Sequence, residues 1–294
     1  MARMAVVGVG RMGAPICARL AGAGHEVAAF DLLPERVDAV GGGVRRAGSA
    51  ADAATGADVL LTVLPGPEEV GAALGDEVFA AMAPGALWLD LSSNTPAGSA
   101  PLRALAGAHG VQVLEAPMGG GPDEAARGRL RLFAAGDADL LDAHRPLLEQ
   151  LADRIVHTGG SGTGYTAKLL VNLLWFGQAA ATAEALLLGT RAGIALDTLH
   201  AVLADSAAGS DFIRRDLPAL YGGDYLASYA IDRVHRQLAA LTAMARDLGT
   251  PHDVSEAVRS LYEQTVARFG PADGELLAVA LLEELAGTQL RTTL

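Results

Sequence analysis

Lys168 and Asn172 stand four residues apart in an apolar run, GSGTGYTAKLLVNLLWFGQ over 160–178. That spacing puts them one turn apart on one face of a helix. A lysine so placed can take and return a proton if its pKa falls toward the working pH. Burial pushes it that way. An asparagine has no proton to exchange, but its amide can hold the lysine or a reacting oxygen in line. The site lies near a helix N-terminus, where the macrodipole disfavours a cation; an unfavourable placement speaks for a role. The plainer alternatives are a lysine snorkelling to solvent and a buried amide that satisfies backbone groups.

A second constellation opens the chain. Met4–Val7 is apolar, and GVGRMG follows at 8–13, with Gly8, Gly10 and Gly13 in G-x-G-x-x-G spacing. Gly8 allows a tight turn, Gly10 lets backbone approach a pyrophosphate, and Gly13 lets the next helix pack on the strand. Helix N-terminal amides then hold phosphate. Alone the spacing is weak, because the chain has 36 glycines. Its context strengthens it: EVAAF at 26–30 reads as a second strand, and Asp31 follows at its end. A carboxylate there hydrogen-bonds a ribose 2′-hydroxyl and repels a 2′-phosphate. Leu32, Leu33 and Pro34 follow, so NAD is favoured over NADP, with Arg36 on the next helix as a group that could reach the same place. A helix cap is the other reading of Asp31.

The elements that must position these residues alternate. Val59–Leu64, Leu87–Leu91, Val111–Glu115, Leu130–Ala134 and Arg154–His157 read as strands, with helices at about 66–74, 97–109 and 138–151. Repeated strand–helix units predict a parallel sheet covered on both faces. Ligands of such sheets bind beyond the strands' carboxyl ends, where TVLPGP, DLSSNTP and EAPMGGGP stand. From about 163 onward the pattern is helical alone, with segments at about 196–204, 211–220, 230–248, 253–269 and 275–286. The fold class is therefore α/β: a Rossmann-type doubly wound domain over 1–160, then an all-α domain over 161–294 that begins with a long interdomain helix. That helix is expected to carry Lys168 and Asn172 across the cleft between the domains.

Composition sets limits. The net charge is −12, which argues against general affinity for nucleic acid or anionic lipid. Cys17 is the single cysteine and reads as a packed thiol. Leu169–Leu188 is apolar but interrupted by Asn172, Gln178 and Glu184, which suits a buried helix better than a membrane span. The N-terminus runs straight into a strand, so a cytoplasmic protein is expected. The seven histidines are scattered, with no metal-ligand spacing.

Four segments, in order, resemble the β-hydroxyacid dehydrogenase family: GVGRMGAPICARL at 8–20, TVLPGPEEV at 62–70 with DLSSNTP at 90–96, EAPMGGG at 115–121, and GSGTGYTAKLLVN at 160–172. The resemblance spans nearly the whole chain. It implies hydride transfer between a nicotinamide cofactor and a β-hydroxyacid-like alcohol or its carbonyl, with Lys168 as general acid/base beside Asn172. It implies cofactor contacts from Gly8, Gly10, Arg11, Met12, Gly13, Asp31, Leu64, Pro65, Ser93 and Arg236. Substrate contacts are expected from Asn94, Gly119, Gly120, Gly121, Ser210 and Asp232. Ser93 and Asn94 read equally well as helix caps, and Ser210 and Asp232 as parts of solvated helix faces. The family's substrate-loop serine is Gly119 here, which leaves backbone amides of Gly120 and Gly121 as donors. Its late Lys-Asp pair is Arg236-Gln237, and arginine keeps the charge but not the reach of an ammonium.

Imine reductases share the resemblance, but they usually replace the lysine that stands here at 168. An imine or specialised-carbonyl reductase is the alternative enzyme, and a catalytically silent NAD-binding regulator is the alternative of another class. The expected partners are a small-molecule substrate, neither nucleic acid nor membrane, and further copies of this chain, as a dimer or tetramer built through the C-terminal domain.

Overall fold

The computed structural model describes residues 1–292. The chain forms two compact units, Met1–Lys168 and Leu169–Leu294.

Among the described residues the first unit holds nine strands in one sheet: β1 (Arg3–Val7), β2 (Glu26–Phe30), β3 (Arg45–Arg46), β4 (Val59–Thr62), β5 (Leu87–Asp90), β6 (Gln112–Glu115), β7 (Met118–Gly119), β8 (Leu130–Ala135) and β9 (Ala152–Gly159). Their order is β3-β2-β1-β4-β5-β6-β8-β7, with β9 also paired to β8. The six from β3 to β6 run parallel. The expected parallel sheet needs one correction: β8 turns antiparallel to β6 and β7, and β9 then follows β8 in parallel. Hydrophobicity fixes which residues are strand, but the direction of a pairing depends on the intervening connection.

Alternate residues of β1 feed two cores. Met4 and Val6 pack with Ile16, Cys17, Leu20 and Leu141, whereas Ala5 and Val7 pack with Val70, Phe79, Trp88 and Ala106. This is a sheet buried on both faces, as helix-covered parallel strands require. Cys17 is fully buried, and burial pushes its thiol up to about 12. The thiol is packing material, as expected.

The helix Thr163–Arg191 is 29 residues long. By length and composition it could cross a membrane. It gives Phe176, Ala179, Ala183, Leu186 and Leu187 to the cores of the second unit. The reading of 169–188 as simply buried is corrected: Leu170, Val171, Leu174 and Leu188 are exposed. Helices Leu196–Ala204, Ile231–Asp247, Asp253–Phe269 and Leu277–Ala286 complete this unit. The single helix expected at 211–220 is instead a π-helical turn, Phe212–Asp216, followed by Leu217–Tyr221. Pro218 has no N–H to donate to residue 214, so the ladder is broken there and the backbone widens.

Candidate active site

The glycine turn after β1 is built on close contact. Gly8 has φ +97°, and a Cβ there would meet the Val63 carbonyl oxygen at 2.4 Å. A Cβ on Gly13 would lie 1.9 Å from the Gly8 carbonyl oxygen, whereas one on Gly10 would meet nothing within 4 Å. Space is thus kept open at the middle glycine, where a ligand's phosphate fits. The helix Gly13–Gly22 has Met12 at its N-cap, no side chain capping it and no acidic residue in its first turn. Its positive end is left for an anion. Arg11 stands at the turn beside it.

Asp31 closes the other side of the turn. Its Oδ2 accepts the Val9 amide at 2.8 Å and its Oδ1 accepts the Leu33 amide at 2.9 Å. Arg36 Nη1 lies 3.3 Å from the same Oδ1. The carboxylate therefore ties β2 to the glycine turn and holds Arg36 to itself. Open space at Gly10, an uncapped helix start and a carboxylate after β2 fit a dinucleotide. These chain groups would hold its pyrophosphate and ribose.

The loops after β4 and β5 are bound to each other. The Leu64 amide donates to Ser92 Oγ at 3.0 Å, and the Ser93 amide donates to the Leu64 carbonyl at 3.2 Å. Pro65 follows Leu64 and leads into the helix Pro67–Ala73. Asn94 is buried; its Nδ2 donates to Asp90 Oδ2 at 3.0 Å, and its Oδ1 accepts the Thr95 amide at 2.8 Å. Both ends of that amide have a partner inside the chain.

In the substrate loop the Gly121 amide donates to Glu124 Oε2 at 2.9 Å as an N-terminal cap. Gly120 has φ +110°, a conformation that favours glycine. Gly119 needs no such freedom: a Cβ there would meet Arg131 Cβ and Phe133 Cε2 at 3.6 Å and the Arg131 carbonyl oxygen at 3.8 Å, all ordinary contacts. The missing serine hydroxyl is therefore not a demand of the fold.

Lys168 is half-buried in the second turn of the long helix, and Asn172 follows one turn later. In the second unit Asn172 Nδ2 donates to Gln237 Oε1 at 2.6 Å, and Gln237 Nε2 donates to the Tyr229 hydroxyl at 2.9 Å. Gln237, where the family's aspartate was expected, thus fixes Asn172 with a neutral amide. Arg236 pairs with Asp232 at 2.9 Å. Ser210 Oγ accepts the Ile213 amide at 3.3 Å, a local turn contact. His235 lies 3.5 Å from Arg259, as a packed histidine would.

Sequence reasoning missed a buried polar cluster under the first turn of the long helix. Asp90 is fully buried and accepts from Thr62 Oγ1 (2.8 Å), the Ser92 amide (2.9 Å), Asn94 Nδ2 (3.0 Å) and the Tyr165 hydroxyl (2.6 Å). Glu115, also buried, accepts the Gly162 amide on both oxygens, at 2.7 and 2.8 Å. Arg103 Nη1 reaches Glu115 Oε1 at 3.0 Å and Ser99 Oγ at 3.1 Å. Burial raises the Glu115 carboxyl to about 7, against the opposing pull of the Gly162 amide and Arg103. Burial and the Asp90 charge hold the Tyr165 phenol well above its usual range. Each carboxylate ends a strand, at residues 90 and 115; that position was the available signal.

Residues 3–159 match the model described as the NAD binding domain of 6-phosphogluconate dehydrogenase. Residues 162–282 match the one described as NAD-binding of NADP-dependent 3-hydroxyisobutyrate dehydrogenase. An NAD-dependent L-serine dehydrogenase of Pseudomonas aeruginosa is 34% identical over 88% of this chain and 87% of that protein. The solved structure of Mycobacterium tuberculosis 3-hydroxyisobutyrate dehydrogenase with L-serine aligns at TM-score 0.87 and 29% identity, covering 96% of this chain and 99% of that one. An imine reductase from Myxococcus stipitatus with NAD+ aligns at TM-score 0.66 and 21% identity over 96% and 99% of the two chains, a likeness of fold alone.

Proposed function

The chain belongs to the β-hydroxyacid dehydrogenase family, and we propose that it oxidises a small β-hydroxy acid, or reduces the matching carbonyl, with Lys168 as general acid/base and NAD as the preferred cofactor. It is a nicotinamide-dependent oxidoreductase. The observation that carries the proposal is Lys168 one turn before Asn172 on the helix Thr163–Arg191. Relatives named for L-serine and 3-hydroxyisobutyrate support a substrate with a carboxylate two carbons from the reacting carbinol.

A nicotinamide cofactor held by the Gly8–Gly13 turn and Asp31 would supply the hydride chemistry, as acceptor from the carbinol carbon in oxidation and as donor in reduction. Lys168, as the neutral amine, takes the hydroxyl proton on Nζ as the carbonyl forms. In reduction the Lys168 ammonium returns that proton to the oxygen. Asn172, with Nδ2 engaged by Gln237, presents Oδ1 as an acceptor on the same helix face. Asp31 supports the choice of NAD: its carboxylate follows β2 and keeps Arg36 paired. Lys168 argues for carbonyl rather than imine chemistry.

The test is a panel of β-hydroxy acids, semialdehydes and cyclic imines with NAD(H) and NADP(H), read by nicotinamide absorbance. The expected outcome is turnover of a β-hydroxy acid with NAD. Lys168→Ala should retain cofactor binding and lose at least about 1,000-fold in kcat; near-normal turnover would remove Lys168 from the mechanism. A homo-oligomer built through the second unit is part of the same proposal. Leu174, Leu188, Val254 and Leu285 support it as large exposed apolar side chains. Sedimentation at micromolar concentration is expected to give a dimer or larger, and a monomer mass would oppose it.

A further inference from the structure

Lys168 sits about one and a half turns into its helix, so its aim depends on how the first turn is held. Four observations bear on that turn. Gly162, just before the helix, has φ +95° and gives its amide to both oxygens of Glu115. The Gly164 amide also faces Glu115 and favours its charged form. A Cβ on Gly164 would lie 2.5 Å from the Phe133 carbonyl oxygen and 3.2 Å from Ala135 Cβ, so the helix start is pressed against β8. Tyr165, one residue on and fully buried, is tied to Asp90 at 2.6 Å.

We infer that Glu115, with Asp90 as its second tether, is a positioning residue that aims Lys168 by clamping the first turn of the catalytic helix to the carboxyl ends of β5 and β6. The reach of the two strands explains the arrangement. Asp90 and Glu115 are the last residues of adjacent strands and are register partners. Each carboxylate meets a different part of one turn: Glu115 takes the backbone at 162, and Asp90 takes the side chain at 165. Glu115 also places negative charge at the positive end of a 29-residue helix, where it is favoured. Arg103 supplies the countercharge at 3.0 Å and is itself steadied by Ser99. Buried carboxylates are retained only where such partners exist. Lys168 is three residues beyond Tyr165, so a small rotation of the clamped turn would swing its ammonium away from the reacting oxygen.

The groups facing Glu115 are Arg103 from the helix Pro96–Ala108, Asp90 from β5, and Tyr165 from the catalytic helix. Its burial gives a carboxyl that titrates near 7. A protonated Glu115 keeps its place but loses charge and one acceptor oxygen. In the reduction direction, where Lys168 works as the ammonium, the wild-type kcat should then carry an acid limb near neutrality that Glu115→Gln lacks.

This inference rests on the reading of Lys168 as the acid/base group, and the test separates the two. Glu115→Gln and Glu115→Asp are compared with wild type in the full chain, by steady-state kinetics, NAD titration and amide hydrogen exchange. Glu115→Gln is expected to lower kcat about 10- to 100-fold, as misplacement of a reacting group does. KM for substrate and Kd for NAD should stay within about threefold. Exchange should quicken at 162–168 while the β1 and β4 amides remain protected. Glu115→Asp, one methylene shorter but still charged, should fall between. Glu283→Gln is the control for lost stability alone: Glu283 is a buried carboxylate of the second unit that accepts the Leu290 amide at 2.7 Å and Arg291 at 2.8 Å. It should lower Tm and leave kcat unchanged. Wild-type kcat with wild-type exchange at 162–168, in whichever Glu115 variant folds, overturns the inference. Retained turnover in Lys168→Ala, with the exchange effect intact, removes Lys168 and leaves the clamp. Should no substrate turn over, the exchange at 162–168 decides the clamp.

Discussion

Gly10 and Gly13 belong to one motif but answer to different forces, and substitution separates them. At Gly13 the fold itself forbids a side chain, since a Cβ would fall 1.9 Å from the Gly8 carbonyl oxygen. At Gly10 the fold permits one, with nothing inside 4 Å. Gly13→Ala should therefore lower Tm as well as NAD affinity. Gly10→Ala should keep the wild-type Tm within a degree or two (about 0.5 kcal/mol or less) and still weaken NAD at least about tenfold, because its methyl meets the pyrophosphate. Calorimetry of the cofactor-free proteins and NAD titration read the two effects apart. A Gly10→Ala variant with unchanged NAD affinity would take Gly10 out of the cofactor site. At this scale the sequence displays which residue types are present, but not which of their donors and acceptors are already spent. Asn94 and Gly121 were legible as polar groups near the right strand ends. Their occupation by Asp90 and Glu124 arises from contacts that spacing does not encode. Glu115 was passed over for the converse reason: its partner, the Gly162 amide, lies 47 residues away.

Strands and long helices were well marked because their signals are local. Glu26–Phe30, Leu196–Ala204 and Asp253–Phe269 have the expected bounds. The short strand Arg45–Arg46 was not foreseen. It pairs only two residues with β2. The glycines before the helix Thr163–Arg191 were visible as a turn, yet their purpose needed the sheet. Gly164 is small because the Phe133 carbonyl lies where a side chain would go. Gly162 is permissive because its amide must turn inward to Glu115. The turn that aims the helix is thus specified partly by residues on β6 and β8, and no local pattern contains it.

Across the whole molecule the same carboxylates give stability opposite slopes with pH. Glu115 has its folded pKa raised from 4.5 to about 7 by burial. A raised acid binds its proton more tightly folded than unfolded, so its contribution is full below 4.5 and is lost as pH rises through about 7. At ~1.36 kcal/mol per unit the loss is roughly 3 kcal/mol, an upper bound for a single site. Asp52, Asp58, Glu124 and Glu256 behave oppositely. Backbone amides lower Asp52, Asp58 and Glu124, and Arg259 lowers Glu256. Their stabilisation is present above the unfolded carboxylate range and is lost as pH falls through their folded values, with screening keeping each contribution small at an exposed site. The first unit holds Glu115, Asp52, Asp58 and Glu124 together, so its unfolding should be most resistant at about pH 4.5–5. Scanning calorimetry from pH 4 to 9 should find Tm falling on both sides of that maximum. Glu115→Gln should remove the decline between about pH 5 and 8 while leaving the acid side in place. A wild-type Tm that rises from pH 5 to 8 would mean that Glu115 is ionised at little cost. Under the clamp reading the alkaline decline has a functional counterpart: the charge that lowers stability near neutrality is the one that holds the catalytic helix in register with the sheet.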